Sequence, residues 1–241
     1  MGKLLTAVAA VTIAACVCGA AAYLLLPTGH GSDDMYQIST LEALFEGRYD
    51  GVRDVDDLMA RGDTGLGTFE GLDGEMIVYG GTCYQVTSDG VVQVASNDLG
   101  VPFACVGYMG VDLSFDVNTS MNMSDLDAYI SERLPSNDTF YIIEIQGHFD
   151  NVLARSVPKQ VKPYPPLEDV IKNQTKFTYS DINGTIVGIW CPPYIGEMNA
   201  AGFHFHFISE DRTMGGHLLD CDMISGIVSL DDAPHLRIDM K

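Results

Sequence analysis

At 241 residues, 46% of them hydrophobic and 19% charged, the chain is long enough to bury a sizeable core as one large domain or two small ones. Its 33 acidic against 13 basic residues give a formal net charge of -20, with no basic stripe for a phosphate backbone, which argues against a nucleic-acid partner. A site on so acidic a molecule that accepts a carboxylate must supply its own local positive charge, and a bound metal ion can be that charge.

Lys3 precedes an uncharged run over residues 4–26 that ends at Pro27. About 20 apolar residues span a bilayer, whereas the core of a cleaved signal has roughly 7–15. Ala20-Ala21-Ala22 as a cleavage site and Ile13-Ala14-Ala15-Cys16 as a lipoprotein-type box keep removal open. The favoured reading is an uncleaved signal or anchor helix over 1–26 and a linker over 27–35, with an extracytoplasmic body, membrane-anchored or secreted. Cys16 and Cys18 lie in the apolar run, and the scattered Cys83, Cys105, Cys191 and Cys221 read as buried thiols.

Ser39 with Glu42 three residues on is a capping-box pattern that predicts a short helix through Leu41, Ala43, Leu44 and Phe45. A second short helix is predicted over 54–60. From Gly65 the texture becomes β, with β-branched or aromatic runs at 75–79, 82–87, 91–95 and 103–108 and a hairpin turn at Ser88-Asp89-Gly90. Ser124 is the predicted cap of a helix over 125–134, which Pro135 ends. A strand over 139–145 follows, then an extended connection set by Pro158, Pro163, Pro165 and Pro166, a short helix over 167–173, and an apolar strand over 184–190. The pattern predicts an α/β (α+β), β-rich chain: two mixed or antiparallel sheet lobes with a few short helices, an N-terminal lobe over 36–137 and a C-terminal lobe over 138–241.

Gly202-Phe203-His204-Phe205-His206-Phe207-Ile208 alternates strictly, so on a strand both imidazoles share one face and the three phenyl rings, which make core, the other. The polar loop over 209–213 and Gly215-Gly216 let the chain return, bringing His217 beside them on an antiparallel neighbour. Three neutral imidazoles at one point suit Zn2+, with a fourth position open to water or substrate. The competing reading is two histidines on a solvated face with a third nearby. His30, His148 and His235 read as surface or core histidines.

Gly65-Leu66-Gly67-Thr68-Phe69, Gly71-Leu72-Asp73-Gly74-Glu75, Lys162-Pro163-Tyr164, Gly184-Thr185-Ile186-Val187-Gly188, His204-Phe205-His206 and Gly215-Gly216-His217 occur in that order. Between about Tyr36 and about Asp222 the chain thereby resembles α-acetolactate decarboxylase. The resemblance implies a two-domain, β-rich α/β fold, Zn2+ held by His204, His206 and His217, Glu75 as the active-site carboxylate, Thr68 near the substrate, and a homodimer. It also implies metal-dependent conversion of 2-acetolactate, a 2-hydroxy-3-oxo acid, to acetoin and CO2. The metal chelates hydroxyl and ketone oxygens to stabilise an enediolate, and Glu75 moves protons.

Two departures from the family pattern stand beside this. An Arg of the family falls in the strand Phe140-Tyr141-Ile142-Ile143-Glu144-Ile145-Gln146-Gly147, so Glu144 occupies the place of a carboxylate-facing cation, a charge reversal. Arg155 is the nearest Arg in sequence. The family also carries a further carboxylate on a tail, for which Asp220, Asp222 and Glu197 are the substitutes at hand. These departures motivate an alternative, an extracytoplasmic metal- or ligand-binding module of the same fold with lost or altered catalysis. A cupin-like three-His oxygenase, which needs Fe, is a further one.

Overall fold

A computed structural model describes residues 33–240. The predicted apolar helix over 1–26 lies outside the described residues, and among the described residues no helix is long and apolar enough to cross a membrane.

The first half of the chain alternates short strands with tight turns. β1 (Asp34–Ile38) leads into α1 (Leu41–Phe45), and then β2 (Arg53–Asp54), α2 (Val55–Met59), β3 (Thr64–Thr68), β4 (Glu75–Tyr79), β5 (Thr82–Val86), β6 (Val92–Val94), β7 (Gly100–Val101) and β8 (Phe103–Gly107) follow. The cap of α1 is Thr40, whose hydroxyl accepts from the Ala43 amide at 3.1 Å. Ser39, the expected cap, sits at φ +60 and makes the bend before it. The second half is built from β9 (Leu113–Val117), β10 (Met121–Asn122), α3 (Met123–Ser131), β11 (Phe140–Ser156), α4 (Leu167–Ile171), β12 (Thr175–Cys191), β13 (Gly202–Ser209), β14 (Gly215–Ala233) and β15 (His235–Asp239). Asn122, not Ser124, caps α3, accepting from the Asp125 amide.

The strands form two large sheets. One has the order β15-β1-β8-β3-β4-β5-β6 and is antiparallel apart from the β1–β15 pair. β15 comes from the stretch expected to form the second lobe, yet completes the first sheet; the Asp239 carboxylate accepts from Tyr36 Oη and Arg53 Nε, each at 2.9 Å. In the other sheet β14, β11, β12 and β13 pair in turn, and β13 pairs back with β14, so the four strands close on themselves.

β11 and β12 run for 17 residues each and β14 for 19, far beyond the 139–145 and 184–190 segments expected. Strands of that length must bend to close. Gly147 lies between Gly184 and Gly226 in register across the three strands, and a Cβ on Gly184 would stand 2.5 Å from the Phe207 ring that fills the space. At Gly184 the backbone therefore gives way to an aromatic ring, and at Gly147 and Gly226 to the Met223 methyl and neighbouring backbone. Phe149, Phe205, Phe207, Ile186 and Leu218 form the interior of the closed sheet. Its outer face packs on the first sheet through Met35, Leu66 and Cys105 against Ile142, Ile189 and Cys191, and through Ile77 and Val86 against Val187 and Ile208. Each such fully buried aliphatic side chain contributes about 1.5–3 kcal/mol. Cys83, Cys105, Cys191 and Cys221 are free and buried, as expected of scattered apolar thiols.

Candidate metal centre

Alternation along β13 sends Phe205 and Phe207 inward and turns His204 and His206 toward the first sheet, while His206 stands directly opposite His217 on β14. His217 Nδ1 lies 3.2 Å from His204 Nε2 and 3.2 Å from His206 Nε2. Tetrahedral Zn with bonds of about 2.0–2.1 Å would set its ligand nitrogens about 3.3 Å apart. His206 Nδ1 is 2.7 Å from the Met76 carbonyl oxygen; a carbonyl only accepts, so Nδ1 carries the proton and Nε2 offers its lone pair to the centre. Burial, with Arg155 adding to it, lowers the His204 pKa to about 4. Burial likewise holds His206 and His217 well below the usual imidazole range. The rings are neutral, which is the form that binds metal.

The first sheet contributes a second pair. Thr68 and Glu75 face each other across β3 and β4, and the Thr68 hydroxyl donates to the Gly74 carbonyl at 2.8 Å. Glu75 is buried, with Oε2 3.6 Å from His206 Nε2 and Oε1 3.5 Å from Arg155 Nη1. Burial raises its pKa and the Arg155 charge opposes the rise. Arg155 reaches this point because β11 pairs it with His217. All six side chains line one cavity of about 270 Å³. The remaining walls are apolar: Leu41, Leu44, Phe45, Leu72, Phe103, Val157 and Leu167 on one side, Met123, Phe203, Phe205 and Leu218 on the other.

The family model for alpha-acetolactate decarboxylase matches residues 35–241. The chain belongs to the alpha-acetolactate decarboxylase family. It is 43% identical over 204 residues to the alpha-acetolactate decarboxylase of Methanosarcina mazei, covering 85% of this chain and 71% of that one. The corresponding protein of Methylococcus capsulatus is 38% identical over 217 residues, covering 90% and 84%. The crystal structure of alpha-acetolactate decarboxylase from Bacillus subtilis strain 168 superposes with a TM-score of 0.84 at 34% identity, over 86% of this chain and 88% of that one.

Of the residues singled out from sequence, Thr68, Glu75, His204, His206 and His217 converge on one cavity. Glu144 does not join them. Its carboxylate accepts from the Thr64 hydroxyl at 3.0 Å and is not part of the cavity wall, so the apparent charge reversal is corrected: the cation at the site is Arg155, further along the same strand. Asp220, Asp222 and Glu197 are exposed and also lie outside the cavity wall. His148 pairs with Asp181 at 3.1 Å and with Asn183 at 2.9 Å, and His235 is exposed. His30 lies outside the described residues. Sequence reasoning missed Arg155 because it ended the strand at residue 145. An isolated cation closing the apolar run Val152-Leu153-Ala154, in a chain poor in basic residues, was the available signal.

Proposed function

We propose that this protein is a metal-dependent carboxy-lyase converting 2-acetolactate to acetoin and CO2, with Zn2+ held by His204, His206 and His217. The observation that carries the reading is one guanidinium and one buried carboxyl group beside three converging neutral imidazoles, in a cavity otherwise walled by apolar side chains. A zinc ion held by those three imidazoles would supply Lewis-acid stabilisation of the negative charge that develops on the substrate as CO2 leaves.

The chain's own groups divide the rest of the work. Arg155 binds the substrate carboxylate through its planar fork, giving an anion a local cation on an acidic molecule. Its contact with Glu75 at 3.5 Å is loose enough to yield to a better partner. Glu75 is the only carboxyl group in the cavity wall among the described residues and supplies the proton that replaces CO2 on carbon. The Thr68 hydroxyl has committed its proton to Gly74, so it accepts from the substrate hydroxyl and helps fix its position. The apolar walls cover the methyl groups and keep water from the developing charge.

From the apolar run over residues 1–26 we also infer a folded body outside the cytoplasm, tethered where that segment is retained, and from the family resemblance a homodimer. The decisive assay follows acetoin and CO2 from racemic acetolactate with the purified full-length chain, before and after chelation and with zinc restored. Metal-dependent product is expected, and Glu75→Gln should lower turnover about 10²- to 10⁴-fold. A zinc-loaded protein that releases no product would leave the alternative, a binding module of the same fold.

A further inference from the structure

The cavity has a polar floor and an apolar entrance. Thr68, Glu75, Arg155 and the imidazoles form the floor. Apart from those floor groups and the small Ala200, the part-exposed lining residues are Leu41 and Phe45 of α1, Met123 at the start of α3, Leu167 at the start of α4 and Phe203 of β13. None of the five is polar, and Phe45 leaves 40% of its surface in solvent. The entrance is braced from both sides: Leu41 and Leu167 pack on the cluster of Leu44, Tyr49, Leu72 and Val170, whereas Met123 and Phe203 pack on the interior of the closed sheet. An apolar collar held open to water keeps an unfavourable surface exposed until something apolar covers it.

The floor determines which end of a substrate meets the collar. A 2-hydroxy-3-oxo acid gives its carboxylate and two oxygens to the floor, so its alkyl substituents point outward. The two methyl groups of acetolactate offer little surface to five large side chains. We propose that the collar is a subsite for an alkyl group longer than methyl, so that the site takes 2-alkyl-2-hydroxy-3-oxo acids with propyl or butyl substituents and binds them more tightly than acetolactate. This inference rests on the decarboxylase reading for the direction of the polar end.

Binding separates it from turnover. The probes are 2-alkyl-2,3-dihydroxybutanoates with methyl, ethyl, propyl and butyl groups, which keep the carboxylate and both oxygens but have no ketone to accept electrons and so cannot lose CO2. Calorimetry on the zinc-loaded full chain should show Kd falling about two- to fourfold for each added methylene. Phe45→Ser should flatten that series, and so should Met123→Ser on the opposite wall, which guards against damage confined to α1. A wild-type Kd that stays level or rises with chain length overturns the proposal. Acetolactate turnover measured on the same preparation distinguishes the two readings: turnover with a level series removes the collar alone, and a falling series without turnover supports the collar while removing the lyase.

Discussion

Arg155 and Glu75 sit 3.5 Å apart with little of either side chain exposed, a distance too long for a tight bidentate pair. That looseness has a functional consequence, because a guanidinium saturated by Glu75 would have no fork left for a substrate carboxylate. Arg155→Lys keeps the charge but loses the planar pair of donors, so kcat/KM for acetolactate should fall about 10²-fold, mainly through KM. Steady-state kinetics on the zinc-loaded variant would show this, and an unchanged KM would remove Arg155 from substrate binding. Asp127 raises a different question at the same scale. Burial lifts its pKa to about 6, and its Oδ1 is buried with no hydrogen-bond partner among the described residues. A folded-state pKa above the unfolded one means that the unfolded chain sheds its proton first, so this group's contribution to stability declines as pH rises from about 4 to about 6 and stays low above. Asp127→Asn removes the penalty. Its Tm advantage over wild type should be near zero at about pH 4 and grow to about 1–3 °C by pH 7, the partial exposure keeping it small. An advantage independent of pH would refer the effect to packing instead.

Among the elements, α1 couples stability to the site most directly. It is five residues long, too short to persist without its cap and its packing, and three of the five line the cavity. Thr40→Ala removes the bond to the Ala43 amide and should cost about 1 kcal/mol, while KM for acetolactate rises severalfold and kcat changes less. Thermal unfolding and kinetics on one preparation test both halves, and a stability loss with KM untouched would separate α1 from substrate binding. α1, α2, β4, β5 and the turn at Gly90 were legible because caps, alternation and turn residues act within a few positions. The lengths of β11, β12 and β14 were not. Register breaks at His148, Phe149 and Leu153 interrupt the period-two pattern of the β11–β14 pair, and the outer half of β12 is largely exposed and polar. The same breaks hid Arg155. The parallel pairing of β15 with β1 joins the two ends of the described chain, and no local signal encodes it.

For the whole molecule, the metal donors are unevenly placed. All three imidazoles belong to β13 and β14, and the first sheet reaches them through the Met76 carbonyl contact and the approach of Glu75. The two sheets hold each other through their own apolar interface. Removing the metal should therefore loosen one corner of the second sheet without separating the sheets. An ion present at about 1,000 times its Kd stabilises the folded state by about 4 kcal/mol, so chelation should lower Tm by roughly 10 °C, and zinc should restore it. Hydrogen exchange adds the spatial test. Amides over residues 202–220 should lose protection on chelation, where three neutral nitrogens are left crowded together, while those of β1, β3 and β8 should keep theirs. Protection lost evenly across both sheets would mean that the ion secures the packing between them, and a chelator without effect on Tm or exchange would mean that the three imidazoles hold no metal at all.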